Sequence, residues 1–169
     1  MKRSGRPVIV AGDPEDLHAV ASIWARSTAV RDGRRTPGSP SSAVAGIRRR
    51  LDIAGAAILV AETDNRTVGF VLFAPRGRNF EIFYLAVDPA MWGEGIATEL
   101  LRSVETHVHA VDCATLELWV IDDNDRAIGV YENAGAARTA EKDPLSWEKS
   151  ESSPKSPPQH ATSPPHSAV

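Results

Sequence analysis

Two spacings of apolar residues alternate along this chain: every second residue, which is typical of strands, and every third or fourth, which is typical of helices. Two apolar runs flank Asp64-Asn65-Arg66, and this arrangement predicts a β-hairpin. The predicted strands cover residues 8–10, 57–61, 68–73, 80–87 and 115–121, followed by short ones at 137–140 and 145–149. The predicted helices are one that begins after Asp13 and three others at residues 42–51, 95–109 and 124–133. The order β-α-α-β-β-β-α-β-α-β-β predicts a mixed α/β fold with an antiparallel meander in its middle.

Local sequence signals support several of these helix ends. Asp13 has the side chain expected of an N-cap, and Pro14 suits the first helical position. Gly135 follows the last predicted helix, in the place where a left-handed residue often ends a helix.

Composition is that of an ordinary globular domain, with 42% hydrophobic and 24% charged residues among 169. The net charge of −3 provides no basic field for nucleic acid. The single cysteine, Cys113, has no partner for an internal disulfide. His107 and His109 are two residues apart on a helix and therefore point to different sides, so no metal site is expected.

The apolar runs are too short for membrane or export signals. The run after Lys2, Arg3 and Arg6 ends at Gly12, which is too early for a signal peptide. The longest run, residues 53–61, cannot span a bilayer. A cytoplasmic protein is the expectation, with no membrane partner.

Composition changes after residue 149. Residues 150–169 are rich in serine and proline and contain almost no large apolar side chains. Such a segment cannot bury enough surface to order itself. We therefore predict a folded domain over residues 1–149 and a disordered tail over residues 150–169.

The most informative segment joins the strand at 80–87 to the next helix. After Val87 the chain turns at Pro89, and Gly93 and Gly95 then open an amphipathic helix. The first N–H groups of a helix lack intrahelical partners, and a glycine-marked strand-to-helix turn of this kind suits a phosphate group. The turn contains no lysine, which a P-loop requires, and Thr98 stands where a dinucleotide fingerprint has its third glycine.

Two motifs resemble those of the GNAT superfamily of N-acyltransferases, which use acetyl-CoA. The first is Val87-Asp88-Pro89 followed by Trp92-Gly93-Glu94-Gly95-Ile96-Ala97, which is similar to the family's Val-x-Pro and Arg/Gln-x-x-Gly-x-Gly/Ala. The second is Asn124-Asp125-Arg126-Ala127 with Tyr131-Glu132-Asn133-Ala134-Gly135-Ala136, which is similar to Asn-x-x-Ala-x-x-x-Tyr-x-x-x-Gly-Phe. The order of elements over residues 7–149 also resembles the family. In two places the sequence departs from the pattern: Trp92 replaces Arg or Gln, and Ala136 replaces Phe.

The resemblance implies a fold and a donor site. The expected sheet is mostly antiparallel, has about six or seven strands flanked by about four helices, and is splayed between its fourth and fifth strands. Acetyl-CoA would bind in that opening, between residues 85–87 and 118–120. Its pyrophosphate would meet the N–H groups around Trp92, Gly93, Gly95, Ile96, Ala97 and Thr98. Its pantetheine arm would lie along Leu85, Ala86 and Val87, with the Val87 N–H facing the thioester carbonyl, and Asn124 would contact the CoA amides or cap the helix.

Two side chains resemble catalytic groups of the family. Tyr131 corresponds to the general acid that protonates the departing thiolate. Glu81 corresponds to a carboxylate that in some members deprotonates the acceptor amine. Strand alternation from Glu81 to Val87 predicts that the two side chains lie on one face of the strand.

The sequence thus predicts an N-acyltransferase that moves an acetyl group to a primary amine by direct attack. Two alternatives remain open: a GNAT-like module that binds acyl-CoA as a sensor or partner domain without turnover, and a nucleotide-binding α/β protein with the same glycine turn. The identity of the acceptor is not encoded in any motif. The family often dimerises, so a homodimer is a further expectation.

Overall fold

The computed structural model describes residues 5–111, 115–118, 125–133, 137–138, 145–148 and 167–168. The helices in these ranges are α1 (Leu17–Arg31), α2 (Pro40–Leu51), α3 (Ile96–Ala110) and α4 (Asp125–Asn133). The strands are β1 (Val8–Ala11), β2 (Ala57–Thr63), β3 (Arg66–Arg76), β4 (Asn79–Val87), β5 (Thr115–Leu118), β6 (Ala137–Arg138), β7 (Leu145–Glu148) and β8 (Ser167–Ala168). As far as β7 the elements follow the predicted order, which confirms the mixed α/β class.

All eight strands belong to one sheet. Seven of them lie in the order β1-β2-β3-β4-β5-β7-β6, and β8 pairs with β4. The strands from β1 to β4 pair with one another in antiparallel fashion, whereas β4 and β5 are parallel. A parallel pair needs a crossover connection, and α3 lies between β4 and β5 in the chain.

The two edges of β4 have different partners. One edge pairs with β3 along the whole of β4, from Asn79 to Val87. The other edge pairs with β5 at residues 80–82 and with β8 at Leu85 and Ala86. Beyond Ile82 the described partner on this edge is therefore β8 and not β5, whose described residues end at Leu118. This change of partner agrees with the predicted opening between the fourth and fifth strands, and β8 lies at the β4 edge of that opening.

β4 carries one residue more than the strand beside it. Tyr84 lies opposite Leu72 and Ile82 lies opposite Phe73, so Phe83 is the extra residue of a β-bulge. A bulge shifts the alternation of side chains, so residues before and after it exchange faces relative to a regular strand.

The sheet buries a separate core on each face. On one face, here called the α3 face, side chains of α3 and α4 pack against Phe80, Ile82, Leu85 and Val87 of β4. On the other, here called the α1/α2 face, side chains of α1 and α2 pack against Phe83, Tyr84 and Ala86. The even-numbered Phe80 and Ile82 share a face with the odd-numbered Leu85 and Val87, as the bulge requires.

The helix and hairpin signals are confirmed with small shifts. Asp13 accepts a hydrogen bond from the Glu15 N–H at 2.7 Å, but it caps a short 3-10 turn that leads into α1. The β2–β3 hairpin turns at Asp64 and Asn65, which both have a positive φ, as a tight two-residue turn requires. Within the described ranges no helix is long and apolar enough to cross a bilayer.

The segment predicted to be disordered contributes β8, so Ser167 and Ala168 are paired in the sheet. The rest of that segment lies outside the described residues, as do Cys113, Asn124 and Gly135.

Candidate active site

The turn between β4 and α3 has the backbone that its glycines predict. Gly93 and Gly95 have φ values of +85° and +78°, in the left-handed region, and Gly95 is the residue before the first turn of α3. A Cβ atom built at either glycine would meet no atom of the described residues within 4 Å. Positive φ, rather than crowding, is therefore what requires glycine here. The space beside the turn is open to a ligand, and the first N–H groups of α3 lie at its edge.

Trp92 turns its side chain back onto the end of β4. Its indole Nε1 donates a hydrogen bond to the Val87 carbonyl at 2.8 Å. The guanidinium carbon of Arg126, on α4, lies 4.6 Å from the centre of the indole ring. This distance is typical of a cation–π contact. A positive charge from α4 thus lies beside the turn, at the position where the family's own pattern has Arg or Gln.

The peptide groups at the end of β4 point in a defined direction. The Asp88 N–H donates to the Val68 carbonyl of β3 at 2.8 Å. In an antiparallel ladder successive residues face opposite edges, so the peptide groups of Val87 and Leu85 face the side of β5 and β8. Those of Ala86 face β3. Of the three residues predicted to line the pantetheine arm, Leu85 and Val87 therefore present polar groups to the opening.

The same strand end is held by α1. The Ser27 hydroxyl donates to the Val87 carbonyl at 2.7 Å, and Arg26 forms an ion pair with Asp88 at 2.8 Å. Asp88 also accepts a hydrogen bond from the Ala90 N–H at 3.1 Å. Asp88 was not predicted as a site residue, although an acidic residue directly before a proline is a known turn signal.

Glu81 does not share a face with Val87, so that prediction is wrong. Its cross-strand neighbour Ala74 belongs to the α1/α2 core, whereas Val87 belongs to the α3 core. The bulge at Phe83 reverses the alternation between the two positions. Sequence spacing cannot reveal this, because a bulge is defined by the register with the neighbouring strand.

Glu81 is 1% exposed and forms an ion pair with Arg76 through its Oε2 atom. Its Oε1 atom is buried and accepts no hydrogen bond from the residues that the structure describes. Glu81 is also paired in register with Glu117 of β5. Burial, and then the charge of Glu81, raise the pKa of the Glu117 carboxyl. The Asn79 amide, which donates to Glu117 at 3.2 Å, acts in the opposite direction.

Tyr131 lies on the other side of the sheet. Its side chain is fully buried in the α3 core, together with Ala127, Val87 and Ile96. The structure thus brings the predicted acid to the same face as the glycine turn. The two proposed catalytic side chains, Tyr131 and Glu81, belong to opposite faces of β4.

The other predicted donor-site residues begin α3. Ile96 and Ala97 are buried in the α3 core, and Thr98 is half-buried. Among the residues that the structure describes, no three metal-ligating side chains form a cluster.

The sequence profile of the acetyltransferase (GNAT) family matches residues 24–136. PaiA N-acetyltransferase from Thermoplasma acidophilum, solved with coenzyme A, superposes with a TM-score of 0.71 at 17% identity, covering 86% of this chain and all of that one. YncA from Salmonella typhimurium, solved with its cofactor acetyl-CoA, superposes with a TM-score of 0.70 at 16% identity, and the match covers 89% of this chain and 99% of that one. A transcriptional regulator from Bacillus halodurans superposes with a TM-score of 0.66 at 19% identity, and the match covers 80% of this chain and 96% of that one. At these identities the structural likeness shows the fold alone.

Proposed function

Because the chain belongs to the GNAT family of acetyltransferases, we propose that it transfers the acetyl group of acetyl-CoA to a primary amine. One observation carries the proposal. A glycine turn with two left-handed residues stands next to a strand end whose Leu85 and Val87 peptide groups face away from β3, towards the edge of β4 where only the two-residue β8 is paired among the described residues. The turn suits a diphosphate, and the strand end suits an extended amide chain, which are the two successive parts of coenzyme A.

The charges of the turn fit this donor. Coenzyme A carries about four negative charges, and the first N–H groups of a helix together with its dipole favour anions. We assign the pyrophosphate to the backbone from Trp92 to Thr98. We assign to Arg126 the side-chain charge that Trp92 does not supply. Asn124, which lies outside the described residues, keeps its proposed role as a contact to the CoA amides.

The proposed reaction forms a C–N bond and breaks the C–S bond of the thioester. The amine attacks the carbonyl carbon directly, and the Val87 N–H stabilises the negative charge on the carbonyl oxygen. One such donor is worth about 3–4 kcal/mol of transition-state stabilisation. Tyr131 gives its phenol proton to the departing thiolate, so coenzyme A leaves as a thiol, and the proton that the nitrogen loses after the attack restores the phenol.

The acceptor must lose a proton, because an alkyl amine has a pKa near ~10.4 and is protonated at neutral pH. We assign this proton to Glu81. Its Oε1 atom has no hydrogen-bond donor within the described part of the chain, whereas the Oε2 atom binds Arg76. The acceptor would then approach from the α1/α2 face, opposite Tyr131, so the acid and the base do not compete for one position.

A pair of tyrosine variants tests the assignment. Tyr131→Phe keeps the buried ring but removes the phenol, so we expect kcat to fall by roughly 10²-fold or more while the KM for acetyl-CoA stays within a factor of about three. Tyr84→Phe is the matched control, because Tyr84 is buried in the α1/α2 core. The measurement is thiol release with an amine identified from a library. Equal kcat values for the two variants would remove Tyr131 from the mechanism.

One observation favours the alternative of an acyl-CoA-binding module without turnover. A buried carboxylate paired with arginine, as Glu81 is with Arg76, is also a common structural arrangement. The thiol-release assay with the same amine library distinguishes the two functions. Binding of acetyl-CoA without release of its thiol in the presence of any amine of the library would identify a binding module.

A further inference from the structure

We propose that β8 (Ser167–Ala168) closes the donor cleft by occupying the peptide groups of β4 that acetyl-CoA needs. The proposal rests on the proposed function for the position of the pantetheine arm. It adds a regulatory device: one segment of the chain and the donor compete for the same strand edge.

The register of β8 carries the argument. β8 runs parallel to β4, with Ser167 opposite Leu85 and Ala168 opposite Ala86. The backbone N–H and C=O groups of Leu85 and Val87 point away from β3. A partner strand on this edge of β4 can form hydrogen bonds with them. In a parallel ladder with this register, Ala168 is the residue whose N–H and C=O face β4, and it lies between Leu85 and Val87.

Two consequences follow from that geometry. The Ala168 carbonyl faces the Val87 N–H, which is the donor assigned above to the thioester oxygen. The Ala168 N–H faces the Leu85 carbonyl, which an amide N–H of an added chain would otherwise meet. An extended ligand and β8 therefore satisfy the same backbone groups and cannot occupy them together.

The competition is weak enough to be reversible. β8 has two residues, and each backbone hydrogen bond contributes little net free energy in water because an unpaired group is solvated instead. The donor must displace β8, so the apparent dissociation constant of coenzyme A equals the intrinsic constant divided by the fraction of molecules in which the edge is open. Removing β8 from the edge should lower that constant.

Two proline variants of the full chain test the inference. Ala168→Pro removes the N–H that faces β4, so we expect the dissociation constant of coenzyme A to fall by about fivefold, the factor that one net hydrogen bond is worth. Ser167→Pro is the matched control. The register leaves its N–H pointing away from β4, and proline keeps the preceding residue extended. The measurement is calorimetric titration with coenzyme A, which carries no acyl group and is not turned over.

Amide hydrogen exchange without ligand provides a second readout. The Val87 amide, which faces the Ala168 carbonyl, should exchange faster in Ala168→Pro than in the unmodified chain and should be unchanged in Ser167→Pro. Equal dissociation constants for all three proteins would overturn the competition and leave the proposed function intact. If none of the three binds coenzyme A, both proposals fail.

Discussion

At the scale of single residues, Val87 connects the sheet to the proposed chemistry. Its carbonyl accepts hydrogen bonds from Trp92 and Ser27, which come from the glycine turn and from α1. Two donors on one carbonyl restrict the rotation of the following peptide group, and the Asp88 N–H is bound to β3. The Val87 N–H belongs to the preceding peptide group, whose Ala86 carbonyl faces β3, so the β3–β4 ladder holds this N–H in one direction before any ligand arrives. A donor to a developing oxyanion needs such a fixed direction.

A first prediction concerns Gly95, whose φ of +78° is unfavourable for any residue with a Cβ. Gly95→Ala should destabilise the fold by about 1 kcal/mol, because the left-handed conformation costs about 1–2 kcal/mol and the less flexible unfolded chain returns part of it. The same substitution should raise the KM for acetyl-CoA several-fold, because the turn reorganises. Urea unfolding and steady-state kinetics measure the two effects.

Gly77 provides the control for that variant. It has a φ of +63° and open space around it, but it lies in the turn between β3 and β4. Gly77→Ala should lose comparable stability and keep the KM of the unmodified protein. If both variants raised the KM equally, the effect would be one of general stability, and the phosphate assignment would lose its support.

A second prediction uses the raised pKa of Glu117. A carboxyl whose pKa is higher in the folded state contributes stability that is present below its ordinary value of 4.5 and is lost as the pH rises through the folded value. Glu117→Gln removes the charge but can still accept the hydrogen bond from Asn79. The variant should therefore be more stable than the unmodified protein at pH 7–8, and the difference should shrink towards pH 4.5.

Urea unfolding across that range measures the difference. Glu132→Gln is the control, because Glu132 lies exposed on α4. A constant difference between Glu117→Gln and the unmodified protein at every pH would show that burial and the Glu81 charge do not act on Glu117 as inferred.

The role of a residue could be predicted from the sequence where that role depends only on residues close to it along the chain. The glycine turn follows from backbone rules that involve only a few consecutive residues, so Gly93 and Gly95 could be read directly. The face of Glu81 depends on where β3 pairs with β4, and no signal in residues 81–87 reports that register. Asp88 meets Arg26, and Ser27 meets Val87, only in the folded molecule, so these contacts between α1 and the end of β4 were not predicted.

At the scale of elements, apolar spacing predicted the helices and strands because each has one face in a core. The predicted and the observed elements differ mainly at their ends. β3 runs from Arg66 to Arg76, beyond the predicted 68–73, since pairing with β2 and β4 continues past the apolar residues. β8 was not predicted, because two residues carry no periodicity and only the open edge of β4 gives them a partner.

A third prediction tests how α1 is tied to β4. Asp88 is nearly buried and serves two roles, as the cap of the turn after β4 and as the partner of Arg26 and Arg66. Asp88→Ala should cost about 1–2 kcal/mol, mainly from the lost cap, because the side chains of both arginines reach solvent and such ion pairs contribute little. Arg66→Ala, at a side chain that is 71% exposed, should change the free energy of unfolding by less than about 0.5 kcal/mol.

Urea unfolding of both variants and of Arg26→Ala separates the roles. An Arg66→Ala loss as large as that of Asp88→Ala would mean that the ion pair, and not the cap, holds the strand end.

At the scale of the whole molecule, the two cores are separated by the sheet, and the proposed site uses both sides of it. The donor-binding turn and Tyr131 belong to the α3 face, whereas Glu81 and its partner Arg76 belong to the α1/α2 face. The opening between β4 and β5 is the place where the two faces meet. A thioester held in that opening could be reached by an amine from one face while its sulfur is protonated from the other.

The last prediction follows from this arrangement, because a ligand that binds only the folded state raises its stability by mass action. At a concentration about 100 times its dissociation constant, acetyl-CoA should add about 2.7 kcal/mol. For a domain of this size each kcal/mol corresponds to roughly 2–4 °C, so we expect the melting temperature to rise by about 5–10 °C. ATP and NAD at the same concentration should cause a much smaller rise, since neither carries a pantetheine arm to pair with Leu85 and Val87. Gly95→Ala should reduce the shift with acetyl-CoA, and Gly77→Ala should preserve it. A larger shift with ATP or NAD than with acetyl-CoA would instead favour a nucleotide-binding protein, because the turn would then bind phosphate without using the strand edge.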